Sequence, residues 1–261
     1  TFTHELLGGS LARDAGNNFY APTDDQRGFA RLFDGDGNGS LIVDIGAFES
    51  GYIVTGFGDS VDANPGDGVS VDVNGQSTLR AAIIESNTRA GADTILLGTG
   101  VYTLSLFGQG EDNAYWGDLD ITDDLTIIGA GSGKTVIDAD YLDRIFEIFA
   151  GVNVSIRGVT LVNGDVTRVE DGGAILNFGN LTLEDVEIKD SLANRGGELF
   201  NNGSVIMTDS YFHNNTAIAD GGAIFNNDPG TITIDLSEIS FNDAENGGGI
   251  YNSTGGTLQV N

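Results

Sequence analysis

Cysteine is absent from the 261 residues, which excludes disulfides and thiolate metal sites and leaves a bacterial exterior and a cytosol equally open. Only three prolines are present, and no apolar run is long enough for a membrane-spanning helix. No basic-apolar leader opens the chain, which starts at Thr1 in mid-pattern and so reads as a segment of something longer. Basic residues are scarce: 11 Lys and Arg, with Lys134 and Lys189 the only lysines, face 39 Asp and Glu for a formal net charge of -28. Such a surface repels nucleic acid and anionic membranes. It favours divalent cations that neutralise clustered carboxylates, although acidity also serves solubility in a salty medium. His4 and His213 are the only histidines and lie far apart, and no G-x-S-x-G, H-E-x-x-H or P-loop occurs.

Glycine is what the chain has in quantity. Forty glycines with many Asn and Asp point to frequent tight turns. They recur in a phrase: GGAILN at 172–177, GGELFN at 196–201, GGAIFN at 221–226 and GGGIYN at 247–252, spaced 24, 25 and 26 residues apart. Recurrence at that period marks a solenoid, whose units bury their apolar faces only by stacking.

Each unit carries a second pattern with offsets 0, 2, 5 and 7: Leu181, Leu183, Val186, Ile188; Val205, Met207, Ser210, Phe212; Ile232, Ile234, Ser237, Ile239. Two-residue steps are the period of a strand with one face buried, and the three-residue step is a bend that turns the next strand inward. Glycine and Asn are expected at the corners, since both tolerate positive φ. Val154, Ile156, Val159 and Leu161 fit the same offsets earlier in the chain. Stacking then predicts an aliphatic ladder at Ile175, Leu199, Ile224 and Ile250, and an Asn ladder at Asn177, Asn201, Asn226 and Asn252 with a structural role. A leucine-rich repeat would need a dense L-x-x-L-x-L line that is missing. The predicted fold is all-β, a right-handed parallel β-helix. One helix, expected over 78–90 with Ser77 or Thr78 as N-cap, plugs the open end of the first coil.

"STLRAAIIESN" (77–87) and the strands after it resemble the start of the β-helical domain in bacterial secreted proteins with a CSLREA-type N-terminal segment, with Ser77 and Ala81 where that phrase has Cys and Glu. "YFHNNTAIADGGAIFN" (211–226) resembles the repeats of polymorphic outer membrane proteins, with F-x-x-N at Phe212 and Asn215 before G-G-A-I. Residues 8–49 are similar to the closing segment of choice-of-anchor Q-type β-helical proteins, so an ending precedes a beginning. The resemblance implies a chain straddling two tandem modules: 1–50 closes one, 51–76 is a linker and lead-in strand, and 77–261 forms the next. It also implies a secreted or cell-surface, bacterial, extracellular location.

Metal-ligating residues are expected first at 34–44, "DGDGNGSLIVD", where oxygens of Asp34, Asp36, Asn38 and Ser40 alternate with glycines and Asp44 follows. The first half matches an EF-hand loop for Ca²⁺; the twelfth position is Ile45 instead of a bidentate Glu, so a solvated acidic turn is the alternative. Weaker candidates are Asp59, Asp62, Asn64 and Asp67 in a Pro-Gly loop, and Asp118 and Asp120, two apart on one face if they lie on a strand. Beside the latter, Tyr115 and Trp116 read either as a sugar-binding platform or as part of a loop packed on the first coil.

The chemistry-bearing residues do not form a tuned set. A lyase acting on acidic polysaccharide needs Ca²⁺-binding carboxylates plus a basic residue, for which Arg144 and Arg157 are available, yet the net charge opposes such a substrate. Asp171 and Asp220 precede equivalent Gly-Gly corners and are too repetitive for a glycosidase pair. The outward row Ser155, Thr182, Ile206, Thr233, Gln259 is too irregular to order ice. The expected function is a non-catalytic structural or adhesive module stabilised by Ca²⁺. Its expected partners are neighbouring modules or copies of itself, stacked head to tail with Leu258 and Val260 opening a further coil, and surface glycans. The alternative is a polysaccharide-active or carbohydrate-binding β-helix.

Overall fold

Among the described residues, twenty short strands and one helix wind into a parallel β-solenoid in which every registered strand pair is parallel. The computed structural model describes residues 15–18, 42, 45, 51–108, 110–166 and 170–261. The loop carrying Asp34, Asp36, Asn38, Ser40 and Asp44, like most of 1–50, lies outside them.

The predicted columns are the observed register. Leu181 stands over Val154 and under Val205, which stands under Ile232. Leu183, Val186 and Ile188 likewise stack on Ile156, Val159 and Leu161. All face the core and are buried, each contributing roughly 1.5–3 kcal/mol. A 12-stranded sheet forms one flank. A six-stranded sheet forms another, with the rungs Leu119–Ile121, Phe146–Ile148, Ile175–Asn177, Leu199–Asn201, Ile224–Asn226 and Ile250–Asn252. The aliphatic ladder thus extends two rungs further back, through Phe146 to Leu119.

The three-residue step is a bend made by one residue in the left-handed region. Gly158, Asp185, Asp209 and Leu236 occupy that column, with φ of 63°, 51°, 47° and 45°. A second corner holds Asn163, Asp190, Asn214 and Phe241 in the same conformation. Glycine and Asn were expected at the corners; Asp takes much of the work, because its short side chain tolerates positive φ, and Leu236 and Phe241 adopt it too. At the third corner the two glycines of the repeated phrase have separate reasons. Gly196 needs its φ of 60°, whereas a Cβ on Gly197 would collide with the Gly222 carbonyl of the next coil.

The Asn ladder is a chain of amide bonds. Asn177 Nδ2 donates to Asn201 Oδ1 (2.8 Å), Asn201 to Asn226 (2.8 Å) and Asn226 to Asn252 (2.6 Å). Asn177, Asn201 and Asn226 are fully buried. The Asn of F-x-x-N heads a second ladder: Asn215 Oδ1 accepts from the Ser191 N–H and Asn242 Oδ1 from the Asn215 N–H.

The helix spans Leu79–Thr88, shorter than expected, and Thr78 is its N-cap, accepting from the Ala81 N–H at 3.2 Å. It packs against Tyr52–Val54, Asp93–Leu97 and Leu119–Ile121, closing the first coil. The lead-in strand is Tyr52–Val54, which pairs with Asp93–Leu97 and so is itself a rung. All residues from Leu79 to Ser86 are buried. The segment before the helix covers its other side: Ser60 O accepts from Thr78 Oγ1 (2.7 Å), and Glu85 accepts from the N–H groups of Gly66 (2.5 Å) and Gly68.

Candidate functional site

Outward-facing residues of the six-stranded sheet form a column that changes chemistry along the solenoid: Asp120, Glu147, Leu176, Phe200, Phe225, Tyr251. Toward its start the column borders a cleft of about 490 Å³, walled by Glu111, Asp112, Asp118, Asp143, Glu170 and Asp171 and floored by Leu176, Phe178 and Phe200.

The cap helix positions the acidic end. Arg80, fully buried, donates to the carbonyls of Ala114 (2.8 Å), Gly117 (2.7 Å) and Asp118 (3.1 Å). Asn87 Nδ2 donates to Asp120 O at 2.7 Å, and its Oδ1 accepts from the Thr122 N–H at 2.9 Å. The loop before the strand can cross this closely because Gly117 has φ of 67° and its N–H reaches Leu106 O at 2.6 Å.

Asp118, Asp120 and Glu147 converge, one oxygen of each lying within 4.8 Å of the others. Asp118 is 5% exposed and Asp120 fully buried, yet Asp118 Oδ2 and Asp120 Oδ1 have no hydrogen-bond partner. The other Asp120 oxygen accepts from the Ala114 N–H at 2.7 Å. Arg144 Nη1 lies 3.0 Å from Glu147 and 3.5 Å from Asp118, and Nη2 lies 2.6 Å from Glu170. Burial pushes the Asp118 carboxyl up to about 8, against the pull of Arg144 and with further push from Asp120. Burial pushes Asp120 up to about 7, opposed by the Ala114 N–H and reinforced by Glu111 and Glu147. Glu147 and Asp143 are raised as well, burial being the largest cause. Such carboxyls share protons near neutral pH unless a cation takes the protons' place. Three convergent carboxylate oxygens suit a hard divalent cation such as Ca²⁺ or Mg²⁺.

The expected pair Asp118 and Asp120 is therefore brought together, with a third member that sequence reasoning missed. Its signal was present: LDI at 119–121 recurs as FEI at 146–148, placing Glu147 over Asp120. The 59–68 group is not gathered in this way. Asp59 spends its oxygens on Arg80 and on the N–H groups of Ser105 (2.7 Å) and Leu106 (2.9 Å). Asp62 and Asp67 each accept from a backbone N–H two residues on, Asn64 and Val69, and Glu85 organises the loop. Asn64 enters through its backbone, its carbonyl accepting from the Asp67 N–H at 3.3 Å.

Tyr115 and Trp116 are exposed. Arg144 lines the cleft, whereas Arg157 stands on Asn153–Val162 in the other sheet. Asp171 binds Arg195 at 2.5 Å, and Asp220 accepts from Asn246 Nδ2, so neither faces the other as a glycosidase pair would. Arg195 in turn lies over the stacked rings of Phe200 and Phe225, 5.0 and 4.7 Å from their centroids. His213 contacts Glu187 at 3.0 Å on the other sheet.

Among the described residues no helix is long and apolar enough to cross a membrane. Nothing among curated proteins or solved structures matches the chain. Residues 209–227 match the Chlamydia polymorphic membrane protein repeat. Within that stretch Phe212 is a core residue, Asn215 a ladder member and Gly221–Asn226 a corner and its strand, so the match covers most of one solenoid unit.

Proposed function

We propose that the chain is part of a surface-displayed repeat protein, a structural and adhesive β-solenoid rigidified by Ca²⁺ held at Asp118, Asp120 and Glu147. The polymorphic membrane protein repeat at 209–227 and the solenoid support the surface reading. The likeness of 77–87 to a CSLREA-type opening and of 8–49 to an anchor-type closing segment supports a secreted, tandem arrangement. Neighbouring modules or further copies of the chain are the proposed stacking partners, since each rung templates the next.

One observation carries the cation assignment: in a group converging within 4.8 Å, the buried oxygen Asp120 Oδ1 has no partner and the buried Asp118 Oδ2 accepts no hydrogen bond, with only Arg144 Nη1 at 3.5 Å. Leaving such oxygens buried and unpaired is costly, and a bound cation removes that cost. Asp118 and Glu147 line the cleft and Asp120 does not, so an ion held among the three would be open to further ligands from the cleft. The loop 34–44 is a second proposed Ca²⁺ site.

A non-enzymatic role agrees with the repeat match. A lyase would need a basic residue free to take a proton, and Arg144, the cleft's arginine, is committed to Glu147 and Glu170.

Calcium titration by calorimetry and by melting tests the assignment. Ca²⁺ is expected to raise Tm and EGTA to lower it, with Asp120→Asn removing one binding event and Asp36→Asn another. Trp116 is the only tryptophan and lies two residues from Asp118, so Tb³⁺ at the cleft site gives luminescence on tryptophan excitation. Loss of that signal in Asp120→Asn but not in Asp36→Asn assigns it to the cleft. A melting curve indifferent to EGTA at low salt, with no Tb³⁺ signal, overturns the reading.

A further inference from the structure

The cleft bordering the three converging carboxylates has parts that a structural ion does not use. We infer that it binds a neutral, hydroxyl-rich saccharide laid along the solenoid axis, two adjacent hydroxyls completing the coordination of the cation at Asp118, Asp120 and Glu147. The inference rests on the cation assignment above and names the ligand of the same site.

Ca²⁺ takes about six to eight oxygen ligands, and the chain supplies three convergent carboxylates. The positions left over point into the cleft. One rung on from Glu147 the outward residue becomes Leu176, and then Phe200, so the floor turns from acidic to apolar. Beside them runs a second row, the residues just after each strand: Phe178, Asn202 and Asn227, all lining the cleft. Phe178 keeps 36% of its surface exposed. Asn227 Nδ2 donates to Asn202 Oδ1 at 2.9 Å, fixing the two amides side by side.

From Asp120 to the Asn227 rung the rise is four steps of about 4.8 Å, roughly 19 Å in all, long enough for more than one sugar ring. A sugar offers what this sequence of groups requires. Its C–H face covers an aromatic or aliphatic floor, and its hydroxyl rim reaches amides and a cation.

Charge decides between ligand classes. An anionic polysaccharide meets a chain of net charge -28. A basic peptide meets wall carboxylates already paired with the protein's own arginines, Glu170 with Arg144 and Asp171 with Arg195. The oxygen with neither a hydrogen bond nor an ion pair is Asp120 Oδ1, too deeply buried for a Lys or Arg head group entering from the cleft but within reach of a bare ion, while Asp118 Oδ2 has only Arg144 Nη1 at 3.5 Å.

The test uses the full chain on an array of neutral oligosaccharides, uronate oligosaccharides and oligo-lysine peptides, each with CaCl₂ and with EGTA, alongside Ca²⁺ calorimetry. Phe178→Ala and Asn202→Ala remove floor and amide while leaving the carboxylates, and Asp120→Asn removes a cation ligand. Supporting results are neutral-saccharide binding lost in EGTA and in Asp120→Asn, and weakened about tenfold in Phe178→Ala, with Ca²⁺ binding and melting unchanged in Phe178→Ala. Normal Ca²⁺ binding with no neutral saccharide retained overturns this inference and spares the cation assignment. No Ca²⁺ binding at the cleft overturns the assignment and this inference with it. Saccharide binding that survives EGTA, or binding confined to uronates or oligo-lysine, overturns the proposed mode.

Discussion

Arg80 Nε lies 2.5 Å from Asp59 Oδ1, in a pair whose side chains are 0% and 1% exposed. This contact joins the segment before the cap helix to the helix itself, and the same guanidinium holds the loop that carries Asp118. The cap of the solenoid and the wall of the cleft are one hydrogen-bonded unit.

Removing the guanidinium strands a buried carboxylate and frees the carbonyls of Ala114, Gly117 and Asp118. Arg80→Met is expected to cost about 3–5 kcal/mol in urea denaturation. Arg80→Lys is expected to recover only part of this, because an ammonium cannot match the fork.

The Asn ladder is expected to be costly to interrupt in its middle. Asn201→Ala takes away the acceptor for Asn177 and the donor for Asn226, both fully buried. A loss of about 2–4 kcal/mol is expected. Equilibrium denaturation of Asn201→Ala beside Asn252→Ala, whose Asn is exposed, checks this; the second substitution should cost less.

Glu198 gives the fold a pH dependence. It stands inside the solenoid where neighbouring coils have Ala174 and Ala223, is fully buried, and has only Asn215 Nδ2 as a partner, on Oε2 at 2.7 Å. Burial raises its carboxyl well above the usual range. The folded state therefore keeps a proton that the unfolded state has lost. The stability this contributes is complete below the unfolded pKa and declines as pH rises toward the folded one, by about 1.4 kcal/mol per pH unit. Glu198→Ala is expected to be more stable than the parent at neutral pH and to flatten its stability–pH curve by that slope, read from denaturation at several pH values.

Leu236 and Phe241 hold φ of 45° and 55° with side chains 73% and 80% exposed. The corresponding corners of earlier coils hold Asp185, Asp209, Asp190 and Asn214. Leu236→Asn and Phe241→Asn are expected to stabilise by about 1 kcal/mol each, since Asn tolerates the left-handed region. An upward shift in Tm for each variant checks this.

Much of the fold was legible because the solenoid repeats one local rule. Offsets of 0, 2, 5 and 7 at Leu181, Leu183, Val186 and Ile188 encode two strands and a bend, and the same four residues stack in the observed register. Corner identity was harder to read. Positive φ is a backbone demand that Gly158, Asn163, Asn214 and the first glycine of each Gly-Gly corner meet as expected, but Asp185, Asp190 and Asp209 meet it too, and composition did not single them out. The cleft was legible only in part. Asp118 and Asp120 are two apart in sequence, but Glu147 joins them through stacking across one coil, and Arg80 and Asn87 support them from the cap helix. Those relations are tertiary and leave little trace in a linear pattern. Asp59 shows the converse, since an acidic loop that reads as a ligand set sends one member to a buried arginine.

The central claim is a divalent cation between Asp118, Asp120 and Glu147. A crystal of the chain grown with Ca²⁺ and exchanged into Tb³⁺ tests it most directly, through the anomalous difference map. A peak is expected about 2.3–2.6 Å from an oxygen of each of the three carboxylates. A map with no peak there, and with the Asp118 and Asp120 carboxyls hydrogen-bonded to one another or to water, would contradict it.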